Sequence, residues 1–348
     1  MTEHLCDSEF PWCPADARSG DFYKLRVKDL SPTQFAVGKA EVDVRAGRMR
    51  KKFRKDPARL HDYLRVRPVP VVVRGEKFYL VDHHHLMRAL YDALHEARGK
   101  DICVYVKVMA NASTLEEPYF WKSMHERNWV YLFDRAGGGP QQPQTLPEHI
   151  KELAFDPYRS LAWIVREHHG YVKNNAPFSE FKWANFFRTR ILLDQDILAG
   201  KHTFDDFAFA VDEHGNLEVT DDGKEVLEEA LFLAASVVFG MYYVRNSAPR
   251  ARLTRRISPV QVHDGDRAIV QLSLVSSRRL HAAIVEDVVH SLGTASFVAQ
   301  RVDESEPMSA RYEVLCKPRG VYKVGPAIVK VRDPMALAES ISSGRRAD

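Results

Sequence analysis

Residues 69–90 read VPVVVRGEKFYLVDHHHLMRAL, and this stretch decides the fold. It opens with the apolar, β-branched run from Val69 to Val73, breaks at Arg74-Gly75-Glu76-Lys77, and resumes as Phe78-Tyr79-Leu80-Val81. That pattern predicts two strands joined by a tight turn. Asp82, His83, His84 and His85 follow, and then Leu86, Leu90 and Leu94 recur at every fourth position as an amphipathic helix. Four polar residues therefore sit at a strand-to-helix junction. The first turn of a helix presents free backbone N–H groups and a partial positive charge, so the junction is suited to an anion.

Working outward, residues 23–27 alternate as a strand, and Leu30-Ser31-Pro32 offers a turn or a helix start. Arg45, Arg48, Arg50, Lys51, Lys52, Arg54 and Lys55 all precede Pro57. Such a run is either a solvated helix face or a cationic wall facing a phosphate-bearing ligand. Downstream, residues 102–108 form a continuous β-branched strand of the kind buried in a sheet, and residues 115–129 turn helical around Phe120, Trp121 and Met124. Gly137-Gly138-Gly139-Pro140 lacks a following GK[ST], so a hinge or linker is expected there in place of a phosphate loop. Asp156 and Pro157 read as the cap and first turn of a helix, with further helices over 178–193 and 222–244.

Beyond Asn246, residues 268–274 read as a strand, Leu280, Ile284, Val288 and Leu292 fall at helical spacing, and strands are expected over 297–302, 312–316 and 321–331. The class is α/β (α+β). A lead-in covers 1–20, a small mixed sheet with helices 21–110, a helical layer 111–246, and a small C-terminal α+β domain 247–348. No catalytic constellation occurs in that last segment, which reads as an interaction or oligomerisation module.

With 348 residues, 45% hydrophobic and 28% charged, the chain is long enough for two domains. A formal charge of +3 is too mild to imply nucleic acid by itself. Cys6, Cys13, Cys103 and Cys316 lack metal or redox spacing, and the first residues lack a basic segment followed by an apolar signal core. A reduced, cytoplasmic protein is expected. The apolar stretch 230–244 contains Ser236, Gly240 and two tyrosines and falls short of the ~20 residues that cross a bilayer, so no membrane association is expected.

Three consecutive histidines cannot all face one ion in a regular element, and a zinc site would need partners such as His125, His168 or His169. Phosphate recognition by imidazole and helix N–H groups suits the location better. A cap from Asp82 with one histidine packed inward is compatible with it.

DHHHLMRAL is similar to the D-G-H-H-R-x-x-A segment of the ParB and sulfiredoxin superfamily. PTQFAVGKAEV, RPVPVVV, FWKSM, DPYRSLAWIVR and FKWANFFR agree in order with the ParB-like nuclease family, so the resemblance covers about residues 22–240. It implies a nucleotide-binding fold whose members bind ATP or ADP with a divalent metal, or CTP and DNA. Carried over, Asp82, His83, His84, His85 match the phosphate turn, with His83 where relatives have glycine. Leu86 stands where many have arginine, and Arg88 is placed to supply that charge. Glu41 falls where serine-kinase-like members place a catalytic glutamate. Neither the arginine-rich motif and helix-turn-helix of partition proteins nor the reactive cysteine of sulfiredoxins is matched, since Cys103 lies in a strand expected to be buried.

The resemblance thus implies a phosphotransferase using ATP or ADP and Mg²⁺ on a small hydroxyl-bearing substrate such as a free amino acid. Glu41, Asp82 and His84 are its catalytic candidates. His83, His84, His85 and Arg88 would bind the cofactor, with Asp156 and Arg159 as further substrate or phosphate contacts. A DNA-binding protein or nuclease using Glu41, Asp43, Asp82 and the basic run is the alternative. A non-catalytic nucleotide-binding interaction protein is the third reading.

Overall fold

The computed structural model describes residues 10–98, 102–172, 178–191, 209–212, 215–247, 250–290 and 293–343. The chain divides into two units, Met1–Leu231 and Phe232–Asp348. The overall class is α+β, as the patterning predicts.

The first unit is laid out around a five-stranded sheet. In chain order its elements are β1 (Phe22–Arg26), β2 (Leu30–Ser31), β3 (Ala36–Val37), α1 (Lys39–Lys55), α2 (Pro57–Arg65), β4 (Val69–Arg74), β5 (Lys77–Leu80), α3 (His84–Arg98), β6 (Cys103–Asn111) and α4 (Glu117–Glu126). Then come β7 (Ala154–Phe155), α5 (Pro157–Glu167), α6 (Ser179–Arg188), β8 (Phe209–Val211) and β9 (Leu217–Val219). Strand order is β1-β6-β4-β5-β2. β4 and β5 pair as an antiparallel hairpin, with Val71 opposite Leu80 and Arg74 opposite Lys77. Gly75, at φ +60°, occupies the left-handed position that such a short turn requires.

β6 returns parallel to β4 after the α3 crossover. Val71, Val73, Val104, Val106 and Val108 share one face of the sheet and are fully enclosed there, where α1, α2 and α3 close over them with Val42, Met49, Leu60, Met87 and Leu90. The other face of β4 is covered as well, where Val72 packs with Tyr79, Phe120 and Met124, whereas β6 is covered there only at its start, at Cys103 and Tyr105, and exposes Lys107 and Met109. Residues 30–31, which read as a turn or helix start, are instead a short edge strand parallel to β5. The GGG loop is no hinge between units: it lies inside the first one, wound on Asp134, whose Oδ1 accepts from the N–H groups of Ala136 and Gly138.

Cys103 is buried in β6, as its pattern predicts, but it is disulfide-bonded, whereas Cys13 and Cys316 are free. The expectation of four reduced cysteines is corrected in this respect. Cys103 is therefore not an available thiol for sulfiredoxin-type chemistry.

α7 (Asp221–Ser247) carries the chain from one unit into the next. Its segment Gly223–Asn246 is long and apolar enough to cross a membrane by length and composition, where counting uncharged residues alone leaves it short. Residues 228 and 229 are glutamates and 245 is arginine, so the uncharged core is only residues 230–244.

The second unit is otherwise built of strands: β10 (Ala251–Ser258), β11 (Arg267–Ser276), β12 (Ala282–Val289), β13 (Gly293–Ala299), β14 (Met308–Leu315), β15 (Val324–Arg332) and β16 (Glu339–Ser343). They form two antiparallel sheets, β10-β11-β14 and β13-β12-β15-β16, that share one core of Val270, Leu272, Val285, Val314, Val329 and Val331. The helix expected over residues 280–292 is absent. β12 stands in its place, and Ala283, Val285, Asp287 and Val289 point inward at period two while the intervening residues are half-buried. Valine and isoleucine satisfy both periods in so short a window, and pairing with β13 and β15 decides for the strand. Asp287 is wholly buried and is held by Arg255 of β10 and by the Tyr312 hydroxyl of β14, which ties the two sheets together through one carboxylate.

Candidate functional site

Four helices begin around one cavity. It has a volume of about 640 Å³, and its wall takes Glu41 from the first turn of α1, His84 and His85 from that of α3, Arg159 from that of α5, and Ser179 and Glu180 from that of α6. Each N-terminus carries the partial positive charge of its helix dipole, so their convergence favours a negative ligand.

The histidine turn shows how the sequence builds this wall. β5 ends at Leu80, and Asp82 Oδ1 accepts from the His83 N–H at 2.6 Å. His83 then adopts φ +71°, the left-handed conformation that glycine adopts without strain. Glycine in the D-G-H-H-R-x-x-A segment that this turn resembles is consistent with that conformation. His83 O accepts the first helical bond, from Met87 N, and α3 starts.

The next two imidazoles work as acceptors. His84 Nε2 takes the Thr33 N–H at 3.1 Å, while the Thr33 hydroxyl donates to Leu80 O at 2.5 Å. His85 Nε2 takes the Gly38 N–H at 2.9 Å, immediately before α1. Burial lowers the His84 pKa to about 3 and holds His85 well below its ordinary value despite the facing Glu41. Both rings are thus neutral at pH 7. They clamp the segment 33–38, and with it the N-terminus of α1, onto that of α3. Both rings line the cavity as neutral groups that bring no charge of their own to it.

Charge comes from arginine. Arg159, four residues into the DPYRS motif, is buried, and its Nη2 donates to Glu41 Oε2 at 3.1 Å and closely to Glu180 Oε2. Arg45 grips the other Glu41 oxygen through Nε at 3.0 Å and Nη2 at 2.8 Å, and Arg166 grips Glu180. Burial by itself would raise the Glu41 pKa. The charged guanidiniums of Arg159 and Arg45 reverse that and hold the carboxyl well below the ordinary carboxylate range. Two further guanidinium atoms, Nε and Nη1 of Arg159, are buried with no hydrogen-bond partner among the described residues. A buried cationic donor left unpaired is costly, and a planar Nε/Nη edge matches two oxygens of a phosphate or carboxylate.

The remaining candidates are distributed as follows. Asp82 is exposed at the rim of the cavity. Arg88 does not line it: its guanidinium is spent on Asp92, on Leu153 O at 2.7 Å and on the face of Phe155. Asp156 does not line it either. It caps α5 by accepting from Tyr158 N and Arg159 N, and it pairs with Arg188 at 2.6 Å. Asp156 thereby sets the turn from which Arg159 projects. Among the described residues no group of three or more His, Cys, Asp or Glu is placed to hold a metal.

Sequence reasoning named Arg45 within the basic run but missed Glu180 and the aromatic residues Trp129, Phe178 and Phe181 of the same wall. Tyr131 stacks behind Phe181 at 4.2 Å between ring centroids, and Phe178, at φ +55°, is held left-handed just before α6. The FKWANFFR motif beside Glu180 was the available signal.

A family described as "Putative ParB-like nuclease" matches residues 23–189, a span that contains every residue of the cavity wall. Protein Atu1540 of Agrobacterium tumefaciens is 33% identical over 61% of this chain and 91% of its own, with a TM-score of 0.45. The curli protein CsgC of E. coli is 11% identical over 26% of this chain and 95% of its own, with a TM-score of 0.18, a likeness that carries no argument. No curated protein matches.

Proposed function

We propose a function from the premise that this chain belongs to the ParB-like family: the cavity binds the phosphates of ATP or ADP and serves phosphoryl transfer to a small hydroxyl-bearing molecule. The observation that supports this most directly is the buried, unpartnered Nε/Nη1 edge of Arg159 amid four helix N-termini. Phosphoryl transfer asks mainly for positioning and charge neutralisation, which such an edge supplies. Trp129, Phe178 and Phe181 offer aromatic surface for a base within the same cavity.

The cavity wall has one carboxylate, Asp82, that no cation engages among the described residues. Mg²⁺ needs only one or two carboxylates when substrate phosphates complete its shell, so Asp82 is the residue that would hold it. When bound, the ion would offset phosphate charge. Glu41 is the base for the acceptor hydroxyl in this reading. While two arginines hold it, its basicity is low. A phosphate that engages Arg159 competes with Glu41 for the same guanidinium and so raises Glu41 toward a working pKa.

Hydrolysis of nucleic acid is the second reading, favoured by the basic face of α1. Glu41 and Glu180 are both committed to arginines, which leaves Asp82 without a second free carboxylate among the described residues of the cavity wall for a two-metal mechanism and ranks it lower.

The test is calorimetric titration with ATP, ADP and CTP, each with Mg²⁺, on the wild type and on Arg159→Lys. Lysine keeps a charge between the glutamates and loses the planar edge. Binding of an adenine nucleotide by the wild type, weakened by about tenfold or more in the variant, is expected for one lost charge-assisted pair. Glu41→Gln should then bind nucleotide without turnover in a screen of small hydroxyl compounds. A wild type that binds no nucleotide overturns the proposal.

A further inference from the structure

Arg45 is shared by a second cavity, of about 290 Å³, that opens between α1, α2 and α5. Arg45, Arg48 and Lys52 reach it from one face of α1 at i, i+3 and i+7, and Arg166 and Glu167 reach it from α5. Tyr63 of α2 completes the wall, with the Lys52 ammonium 5.5 Å from its ring centroid.

The charge in this cavity is only partly answered. Arg45 is taken by Glu41 at 2.8 Å, and Arg166 by Glu180 and by Glu167 at 3.0 Å. Arg45, Glu41, Arg159, Glu180 and Arg166 therefore form a continuous chain of ion pairs. Its two ends open into the second cavity and its middle lines the first. Arg48 and Lys52 make no ion pair among the described residues. They leave the concavity with two uncompensated cations beside the two arginines that end the chain. Like charges gathered in a concave, partly desolvated space repel unless an anion lies between them.

We propose that this second cavity is an anion subsite for a small phosphate-bearing molecule, distinct from the cavity that Arg159 serves. Its size admits a phosphate or diphosphate group and excludes a nucleic-acid duplex. Arg48 and Lys52 are its specific ligands, since Arg45 and Arg166 already serve the carboxylates of the first cavity. The proposal goes beyond the nucleotide reading and stands separately from it.

The experiment is calorimetric titration of the full-length protein with inorganic pyrophosphate at low ionic strength. It is run on the wild type, on Arg48→Ala/Lys52→Ala and on Arg159→Lys, with circular dichroism to verify each fold. Arg48 and Lys52 are exposed residues of α1, so the double variant keeps its core. Two bound equivalents are expected for the wild type. One of them should be weakened by about tenfold or more in Arg48→Ala/Lys52→Ala and retained in Arg159→Lys, as loss of charge-assisted contacts requires. A parallel titration with glycerol phosphate distinguishes an inorganic anion from an organic monoester as the occupant, and either one, lost in the double variant, meets the expectation. An isotherm unchanged by Arg48→Ala/Lys52→Ala, or no pyrophosphate bound by the wild type, overturns the proposal. Loss of pyrophosphate in the double variant beside a wild type that binds no nucleotide would retain this site and refute the nucleotide reading alone.

Discussion

Replacing Arg159 by methionine removes the one cation shared by two buried carboxylates and leaves a side chain of similar length. Arg159, Glu41 and Glu180 have side chains only 4%, 5% and 9% exposed, so solvent screens their interaction weakly. Breaking a buried pair by removing one partner costs about 3–5 kcal/mol. Here each carboxylate keeps a second partner, Arg45 for Glu41 and Arg166 for Glu180, so the low end, about 3 kcal/mol, is expected at pH 7. The pH dependence follows from the direction of the Glu41 shift. Its folded pKa lies below that of the unfolded chain, so the stability it contributes is present above the unfolded carboxylate value and is lost as pH falls through the depressed folded value. In Arg159→Met that depression shrinks, each unit being worth about 1.4 kcal/mol, and protonation relieves the uncompensated charge. The gap between wild type and variant should therefore be widest near pH 7 and narrow by about 1 kcal/mol toward pH 3. Urea denaturation at the two pH values measures it, and the double variant Arg159→Met/Glu41→Gln should recover part of the loss. An equal gap at both pH values, or a variant as stable as the wild type, refutes the assignment of Arg159 as the neutralising partner.

Three further outcomes are expected. His83→Gly relieves a left-handed conformation worth about 1–2 kcal/mol and adds about 0.5–1 kcal/mol of chain entropy, so urea unfolding should show a net gain of about 0.5–1 kcal/mol; a loss would mean that the imidazole's contacts outweigh the strain. Gly38→Ala places a Cβ 2.9 Å from Ser160 N and 3.0 Å from the Arg159 carbonyl carbon, both backbone atoms, and should cost about 1–3 kcal/mol in the same assay through separation of α1 from α5. Asp156→Ala removes the cap of α5 and the partner of Arg188 and should lower stability by about 1–2 kcal/mol for the cap alone, seen as a fall in thermal midpoint.

The first unit was legible because its signals are local. A β-branched run broken by Arg74-Gly75-Glu76-Lys77 permits little besides a hairpin, and Asp156-Pro157 caps a helix in any surroundings. The strand at residues 282–289 was not legible, since valines and isoleucines there satisfy either period and the choice rests on partners at residues 293–299 and 324–332.

The amino-acid sequence by itself determined that a strand, a polar turn and a helix meet at Asp82 to His85, and that an anion would suit the junction, because hydrogen-bonding and dipole effects at a helix start act over a few residues. Which side chains carry the charge was decided by tertiary structure alone. Glu41, Arg159 and Glu180 are far apart in the chain, and only the docking of α1, α5 and α6 brings them within hydrogen-bonding distance. The same packing buries His84 and His85 and makes them neutral acceptors for Thr33 and Gly38, because desolvation penalises an imidazolium and no local pattern reveals the burial.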